Sequence, residues 1–459
     1  MMDSLPLLAT QDLDAPIAWR AGSPLSARQF LADVQRQARQ LPAHGPMINL
    51  CSDRYRFAVG LAAALQRGHT SLLPPNVLPD TLARLREPGL QPYGLCDDPR
   101  WVGGVAAGTP MLQAPVDHAD VTALPVPLIA REQLAACLLT SGSTGAPQPH
   151  AKTWGALGLN IDAEAKRLAE YLQAPTLAGL TLVATVPAQH SYGFESSVLL
   201  ALLGGAAFDS GRPYFPADIA QALARVPRPR ALVTTPFHLK TLLQSGVALP
   251  TVDLLLCATA PLSPQLALQA ERALGAPLIE IYGCTEAGQV ATRRTVSGEL
   301  WRSFDALRIH RDMAGDAGSE RFIVQGGHVS TPTPLADVLQ LEDAQHFRLL
   351  GRANDLIHVA GKRTSLAHLN FHLNSVEGVL DGAFWMPDDV VDGVVRPLAF
   401  VVAPGLSAAQ VIAALRGRLE AVFVPRRVMH VAALPREATG KLTEHALRGL
   451  ARSLRHDLA

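Results

Sequence analysis

Short apolar segments of four to eight residues alternate along this chain with longer stretches in which apolar residues recur every three or four positions. The short segments are predicted strands, at Met47–Cys51, Ala136–Thr140, Leu180–Pro187, Ala231–Thr235, Val252–Cys257 and Leu278–Tyr282. The longer stretches are predicted helices, at Ala27–Gln40, Arg54–Gln66, Thr153–Leu172, Ile219–Val226 and Pro264–Leu274. Strands separated by helices of this length are typical of βαβ units, so the pattern predicts an α/β fold of mainly parallel sheets with flanking helices.

The pattern changes after about Gly351, where strands and helices become more closely spaced. The predicted elements there are strands at Ile357–Ala360, Arg396–Ala403 and Val428–Ala432 and helices at Ser365–Ser375 and Ser407–Phe423. About 100 residues is an ordinary size for a domain. We therefore predict a large N-terminal domain, residues 1–353, and a small α+β C-terminal domain, residues 354–459.

The composition is that of a globular protein, with 40 basic and 40 acidic residues and 48% hydrophobic residues. Disorder is excluded, and a net charge of zero argues against a dedicated nucleic-acid or membrane-surface protein. The five cysteines form no C-x-x-C pair. The N-terminus lacks the features of a signal peptide, and the apolar run from Ser196 to Phe208 is too short to span a bilayer. These observations predict a cytoplasmic protein with no membrane span and no nucleic-acid partner.

Lysine is rare in this chain. Of the 40 basic residues only five are lysine, Lys152, Lys166, Lys240, Lys362 and Lys441. Lysine carries a compact ammonium and arginine a planar fork. A lysine retained here therefore indicates, as supporting evidence only, a position that requires the ammonium.

Two segments carry the residue types of an anion site. Thr140–Pro147, which reads Thr-Ser-Gly-Ser-Thr-Gly-Ala-Pro, follows a predicted strand and precedes a predicted helix, and its backbone N–H groups and hydroxyls could hold a phosphate. A flexible Ser/Gly turn explains it equally well. Tyr282–Glu286 ends another predicted strand, where Thr285 and Glu286 could hold a phosphate and its Mg²⁺. Taken alone, Thr-Glu is also typical of a helix N-cap.

Two further segments are less distinctive. Leu350–Asp355 lies at the change of pattern, fifteen residues after Asp337, and suits a polar interdomain turn. Leu434–Lys441 is a loop that carries one of the rare lysines, and a solvated loop lysine is its simplest explanation.

The four segments in this order resemble the adenylate-forming superfamily of acyl-CoA synthetases, peptide-synthetase adenylation domains and luciferases. The resemblance covers nearly the whole chain, and Cys257–Leu262 is similar to the family's segment beside adenine. It implies a two-step ligase: a carboxylate attacks the α-phosphate of ATP, pyrophosphate leaves, and a thiol then displaces AMP. It also implies that residues 354–459 form a mobile lid.

The resemblance assigns roles to individual residues. The nucleotide-binding residues it implies are Thr140, Ser141, Gly142, Ser143, Thr144, Gly145, Ala258, Thr259, Ala260, Tyr282, Gly283, Asp337 and Arg352. Thr285 would lie at the α-phosphate and Glu286 would bind Mg²⁺. Lys441 would bridge the carboxylate and the α-phosphate, a role that suits a point charge.

The phosphate loop departs from the family pattern at one position. The family usually continues Pro-Lys, but here Gln148 follows Pro147, and the nearest lysine is Lys152. Either Lys152 substitutes for the missing lysine or the loop works with fewer cations. A non-catalytic nucleotide-binding homologue is the remaining alternative.

The acid and its acceptor are indicated less directly. The position of Pro187–Glu195 implies an acyl pocket, with His190, Tyr192, Gly193, Phe237, His238, Ala258 and Thr259 as its residues. Segments Pro147–Trp154 and Gln189–Gly205 resemble stand-alone ligases of aryl-polyene and xanthomonadin-type pigment pathways, which load an aryl acid such as 4-hydroxybenzoate onto an acyl carrier protein. The basic residues after Ala413 would suit an acidic carrier protein or the phosphates of coenzyme A. The sequence leaves the oligomeric state open.

Overall fold

The structure is a computed structural model that describes residues 3–74, 85, 91–98, 109–114, 125–141, 147–312, 321–352, 356–359, 362–386, 397–436 and 442–456. No helix within these ranges is long and apolar enough to cross a membrane.

The first part of the chain, up to residue 141, combines two helices with short strands. The strands are β1 Ser4–Pro6, β2 Pro16–Arg20, β3 Ser23–Ser26, β4 Met47–Asn49, β5 Ser71–Leu73, β6 Tyr93–Cys96, β7 Met111–Gln113, β8 Leu128–Ala130 and β9 Leu134–Ser141. The helices are α1 Ala27–Gln40 and α2 Arg54–Gln66, with both ends as predicted. Each begins where a side chain caps the first turn: Ser26 accepts from the N–H of Gln29, and Asp53 from the N–H of Arg56.

The second part, residues 147–352, holds most of the helices. Its helices are α3 Trp154–Leu172, α4 Ser191–Gly193, a π-helix Phe194–Leu199, α5 Leu200–Leu202, α6 Pro216–Arg225, α7 Pro236–Gln244, α8 Pro264–Leu274 and a 3₁₀ turn Thr295–Ser297. Its strands are β10 Pro147–Thr153, β11 Thr181–Ala184, β12 Ala207–Asp209, β13 Arg230–Thr234, β14 Leu254–Cys257, β15 Leu278–Cys284, β16 Gly288–Arg294, β17 Leu300–Ser303, β18 Arg308–Arg311, β19 Phe322–Gly326, β20 Val329–Leu335, β21 Asp337–Leu341 and β22 His346–Arg352.

The third part, residues 356–456, is smaller. Its strands are β23 Leu356–Val359, β24 Lys362–Ser365, β25 Asp381–Trp385, β26 Leu398–Val402 and β27 Val428–His430, and its helices are α9 Leu366–Asn374, α10 Ala408–Arg416 and α11 Glu444–His456. Strands β25, β26 and β27 form one sheet with its own apolar core. A Ser365 hydroxyl that donates to the Leu350 carbonyl at 2.8 Å joins this part to β22. That residues 354–459 move as a lid stays a prediction.

Two large sheets organise the chain before residue 353. One has six strands in the order β10-β9-β5-β4-β6-β7, and the other has eleven in the order β21-β22-β17-β16-β15-β14-β13-β11-β12-β2-β3. In the larger sheet the run from β15 to β2 is parallel. One apolar core contains side chains of both sheets and of α2, which is buried on nearly every side. The predicted α/β fold is therefore confirmed.

The structure corrects the sequence interpretation in three places. The larger sheet continues beyond β15 through the antiparallel strands β16, β17, β22 and β21, which the strand pattern did not predict. The segment that begins at Pro147 is strand β10, paired antiparallel with β9, so a strand precedes helix α3, where the sequence interpretation placed a helix directly after the Ser/Gly segment. The helix predicted at Ser407–Phe423 ends at Arg416, since Gly417 follows as its C-cap.

Candidate active site

A cavity opens at the carboxyl ends of the parallel strands, where open α/β sheets bind ligands. It encloses about 550 Å³ of empty space, counted to its open mouth. The lining residues follow β11, β12, β13 and β14 or begin α4: Thr185, Val186, Pro187, His190, Tyr192, Gly193, Arg212, Tyr214, Thr235, His238 and Thr259. The cavity therefore combines apolar walls with hydroxyls, imidazoles and one guanidinium.

Five of the residues predicted for the acyl pocket line this cavity: His190, Tyr192, Gly193, His238 and Thr259. Gly193 is required there, because a Cβ at this position would lie 2.0 Å from the carbonyl oxygen of Pro187. The other two predicted residues do not line it. Phe237 lies edge-on to His238, with ring centroids 5.6 Å apart, and Ala258 is buried beside Thr259.

His238 is fixed on one edge of its ring. Its Nδ1 lies 3.1 Å from the hydroxyl of Thr185 and 3.2 Å from that of Thr235, while its buried Nε2 has no hydrogen-bond partner among the described residues. Burial lowers the pKa of His238 and of His190, and the nearby Arg212 guanidinium lowers both pKa values further. Both imidazoles are therefore neutral hydrogen-bonding groups at neutral pH.

Thr259, which follows β14, has a φ of 82°. A β-branched residue rarely adopts this conformation, and such strained residues are concentrated at functional sites. Thr259 lines the cavity, and it belongs to the segment that was predicted to lie beside adenine.

Tyr282 and Asp337 are joined across two strands. The Tyr282 hydroxyl donates to Asp337 Oδ2 at 2.8 Å. The Tyr282 ring is buried between Trp301 and Phe347, with centroid distances of 5.7 and 5.6 Å. Two residues predicted to bind the adenine and ribose, 55 positions apart in the sequence, therefore meet at one place.

Thr285 and Glu286 lie in the turn between β15 and β16. The turn depends on Gly283, since a Cβ there would lie 2.3 Å from the Gly288 carbonyl oxygen. The Glu286 side chain is 46% exposed. Its carboxylate is therefore accessible, as a hard-cation ligand must be.

Two side chains from β10 reach Glu286. His150 Nε2 lies 3.7 Å from Glu286 Oε1, and Lys152 Nζ donates to the main-chain oxygen of Glu286 at 2.7 Å. The Glu286 carboxylate and the adjacent Thr285 hydroxyl are oxygen donors of the kind that Mg²⁺ prefers, and the Lys152 ammonium beside them suits phosphates. The residues present therefore fit the ion that the sequence predicted.

Several predicted residues lie outside the described part of the structure. Gly142, Ser143, Thr144, Gly145 and Lys441 are outside it altogether, and of Thr140, Ser141 and Arg352 only the strand backbone is described. Ala260 follows Thr259 in the turn before α8. Their predicted roles stay predictions.

The C-terminal part approaches the cavity through α7, whose first turn carries His238. Arg436, just before segment 437–441, donates two hydrogen bonds to Asp381, each at 2.7 Å. Lys240 of α7 interacts electrostatically with both Asp381 and Arg436. The N-terminal end of the predicted Lys441 loop is therefore held against the helix that borders the cavity.

The buried His328 makes the stability of the protein depend on pH. Burial lowers the pKa of this imidazole to about 4 and the Lys152 charge lowers it as well, while hydrogen bonds with the main chain of Gln289 and Ala287 oppose the shift. An unfolded histidine has a pKa of about 6.5, so between pH 6.5 and 4 the unfolded chain holds the extra proton, and stability falls as pH falls. We expect this one group to lower the free energy of unfolding by about 3 kcal/mol between pH 7 and pH 4.

Urea unfolding of the parent protein and of His328→Gln across this pH range measures the effect. The stability difference between the two proteins should change by that amount as the pH falls. If the free energies of unfolding of the two proteins changed in parallel with pH, His328 would not be the source of the pH dependence.

Sequence reasoning missed Arg212, Tyr214, Thr185 and Thr235, which line the cavity. They lie one to five residues beyond the ends of three parallel strands, and this position was the available signal. Sequence reasoning also missed the contact of His150 with Glu286, because no strand was predicted between Pro147 and Thr153.

Comparison with known proteins identifies a family and several relatives. The family described as AMP-binding enzyme matches residues 96–315. A 4-coumarate–CoA ligase of Rhodobacter capsulatus is 31% identical over 319 residues, which cover 68% of this chain and 76% of that protein. A 4-coumarate–CoA ligase of Halorhodospira halophila is 32% identical over 243 residues, so that the alignment spans 52% of this chain and only 56% of that enzyme.

Solved structures share the fold along nearly the whole chain. The o-succinylbenzoate coenzyme A synthetase of Bacillus subtilis, in complex with ATP and magnesium ion, has a TM-score of 0.78 at 17% identity. The match covers 97% of this chain and 100% of that one.

Proposed function

This chain belongs to the AMP-binding enzymes, and from that premise we propose that it is an ATP- and Mg²⁺-dependent ligase that activates an aryl carboxylic acid as acyl-AMP and transfers the acyl group to a thiol. The observation that carries the proposal is that the cavity residues follow parallel strands up to β14, while two pairs, Tyr282 with Asp337 and Thr285 with Glu286, lie at or after the end of the neighbouring strand β15. The first pair would hold the nucleoside and the second its phosphates and metal. A metal held there would neutralise phosphate charge, while the chain's own residues would position the carboxylate for attack.

The lining of the cavity supports an aromatic acid with a polar substituent. Tyr192, Tyr214 and the two imidazoles offer flat faces and hydrogen-bonding atoms. Arg212 has no ion-pair partner among the described residues. A plain fatty chain would leave these polar groups unpaired, which costs binding free energy. We therefore propose a hydroxylated aryl acid, such as 4-hydroxybenzoate.

The acceptor has two candidates. Resemblance to the pigment-pathway ligases supports the phosphopantetheine thiol of an acyl carrier protein, and exposed Arg416, Arg418, Arg426 and Arg427 on the C-terminal part would suit an acidic partner. Both curated relatives named above are coenzyme A ligases, which supports free coenzyme A. We propose the carrier protein first.

The function is tested by acid-dependent exchange of labelled pyrophosphate into ATP across hydroxybenzoates, cinnamates, fatty acids and amino acids. We expect strong exchange with hydroxylated aromatic acids, followed by transfer assays with carrier protein and coenzyme A in parallel. Exchange with fatty or amino acids alone would contradict the aryl proposal. ATP binding without exchange for any acid would support the non-catalytic alternative that Gln148 raises.

Glu286→Gln is expected to lower the exchange rate about 100-fold, because the amide keeps the size of the side chain but removes the charge that would hold Mg²⁺ at the phosphates. Titration with AMP in the absence of metal should give an unchanged affinity. Glu132→Gln, at an exposed position on the turn between β8 and β9, is the matched control. A variant with parental exchange at saturating Mg²⁺ would remove Glu286 from the metal site.

A further inference from the structure

The imidazole of His238 has hydrogen-bond partners on one ring nitrogen only. The residue lines the acyl cavity from the first turn of α7 and is 6% exposed. Its Nε2 is buried and has no hydrogen-bond partner among the described residues. A buried polar atom without a partner costs free energy, so such atoms are uncommon and require an explanation. A ligand atom in the cavity would be a partner for this nitrogen.

The hydrogen bonds at the other edge of the ring indicate which nitrogen carries the proton. Nδ1 lies 3.1 Å from the Thr185 hydroxyl and 3.2 Å from the Thr235 hydroxyl. The Thr235 oxygen already accepts the main-chain N–H of His238, because Thr235 is the N-cap of α7. Within the described part of the chain, Nδ1 is the only acceptor for the Thr235 hydroxyl hydrogen. That hydroxyl therefore donates to Nδ1, and the proton of the neutral imidazole is on Nε2.

The surroundings of this Nε2–H donor favour an acceptor that carries negative charge density. The Tyr214 ring lies edge-on to the imidazole, with centroids 5.2 Å apart, and forms part of the same wall. The Arg212 guanidinium also lines the cavity, and its positive charge lowers the pKa of His238. A phenolic oxygen is an acceptor of the required kind. An aromatic amine is a poor one, since its nitrogen lone pair is delocalised into the ring.

We propose that His238 is a specificity-determining residue of the acyl cavity, whose Nε2–H donates a hydrogen bond to an oxygen substituent on the ring of the aromatic acid. The substrate class is thereby narrowed to acids whose ring substituent offers an acceptor oxygen. The proposal rests on the proposed function in taking an aromatic acid as the ligand of this cavity.

The alternative is a structural role, in which a water molecule bonds Nε2 and the histidine only supports the N-terminus of α7. The two roles differ in what they predict for acids of equal size. A histidine that bonds the substituent distinguishes an acceptor from a donor or a methyl group, whereas a structural histidine does not.

The test is calorimetric titration of the full chain with hydroxybenzoate, aminobenzoate and methylbenzoate, each with the substituent at the meta or the para position. These substituents are similar in size, but only the hydroxyl offers a good acceptor. We expect one hydroxybenzoate isomer to bind about 10-fold more tightly than the matching amino and methyl acids, the value of one hydrogen bond to an otherwise unpaired donor.

Two variants assign this preference to His238. His238→Phe keeps a flat ring but removes the donor, so the preference should fall to about twofold or less. His238→Gln places an amide N–H close to the position of Nε2 and should keep most of the preference. His310→Phe, at an exposed position on β18, is the matched control and should behave as the parent. The preference is a ratio within each protein, so a general loss of affinity cancels.

Equal binding of the three acids by the parent, binding of none of them, or an undiminished preference in His238→Phe would overturn the proposal. Tighter binding of the aminobenzoate would overturn it too, since the proton would then be on Nδ1. These titrations contain no ATP. A bound hydroxybenzoate that supports no pyrophosphate exchange would therefore count against the ligase activity alone, whereas exchange without the preference would count against the role of His238 alone.

Discussion

Lys441→Ala is expected to abolish acyl-adenylate formation, with a loss of about 10³-fold, and to leave thiol transfer from preformed acyl-AMP nearly unchanged. In the proposed first step, negative charge accumulates where the carboxylate meets the α-phosphate, and a positioned cation is worth most there. The second step breaks a bond already activated and does not need the same charge. The two half-reactions should therefore separate.

The structure gives this prediction a physical basis although Lys441 itself lies outside the described residues. Arg436 and Asp381 anchor the chain just before segment 437–441, and Lys240 of α7 faces both. Since α7 begins with residues of the cavity wall, Arg436, the last described residue before segment 437–441, lies near the helix that borders the site.

Both half-reactions should be measured on the same preparation, the first by pyrophosphate release and the second with synthetic acyl-AMP. Lys362→Ala is the control lysine of the C-terminal part, since Lys362 is exposed and paired with Glu420. If both half-reactions of Lys441→Ala fell equally, the residue would be structural.

Arg54→Met is expected to lower the free energy of unfolding by about 3–5 kcal/mol, because three buried acceptors lose their donor and each unpaired acceptor costs about 1–3 kcal/mol. The guanidinium is 1% exposed and donates to Ser197 Oγ at 2.7 Å and to the carbonyl oxygens of Ala184 and Val186 at 3.1 and 3.0 Å. Burial lowers its pKa to about 10, so it remains charged at neutral pH. Removing it leaves these acceptors without a donor at the end of β11.

Chemical denaturation of Arg54→Met, Arg54→Lys and Arg67→Met measures this effect. Arg67 is exposed at the opposite end of α2, so its loss should change stability by less than about 0.5 kcal/mol. Arg54→Lys should fall in between, because the ammonium keeps the charge but cannot reach all three acceptors. A small loss for Arg54→Met would show that water satisfies the exposed carbonyls.

The helices were the most predictable part of the fold. Helices α1, α2 and α8 begin and end where the pattern placed them, because their apolar period and their Ser or Asp caps are local signals. The antiparallel strands after β15 were not predicted, since pairing such as that of Leu300 with Arg348 is a contact between distant residues. Helix α11 was missed as well.

The sequence by itself determined the family, because short motifs such as Tyr282–Glu286 require particular residues in order, and the relatives of this chain confirm that it belongs to the AMP-binding enzymes. Only the tertiary structure decided which side chains meet: Tyr282 with Asp337, His150 and Lys152 with Glu286, and Arg212 with the histidines of the cavity. The reason is physical. Motifs and caps depend on residues that are neighbours along the chain. The contacts between distant side chains depend on strand order and on the face of the strand from which each side chain projects, and both are fixed only when the strands pair and the cores pack.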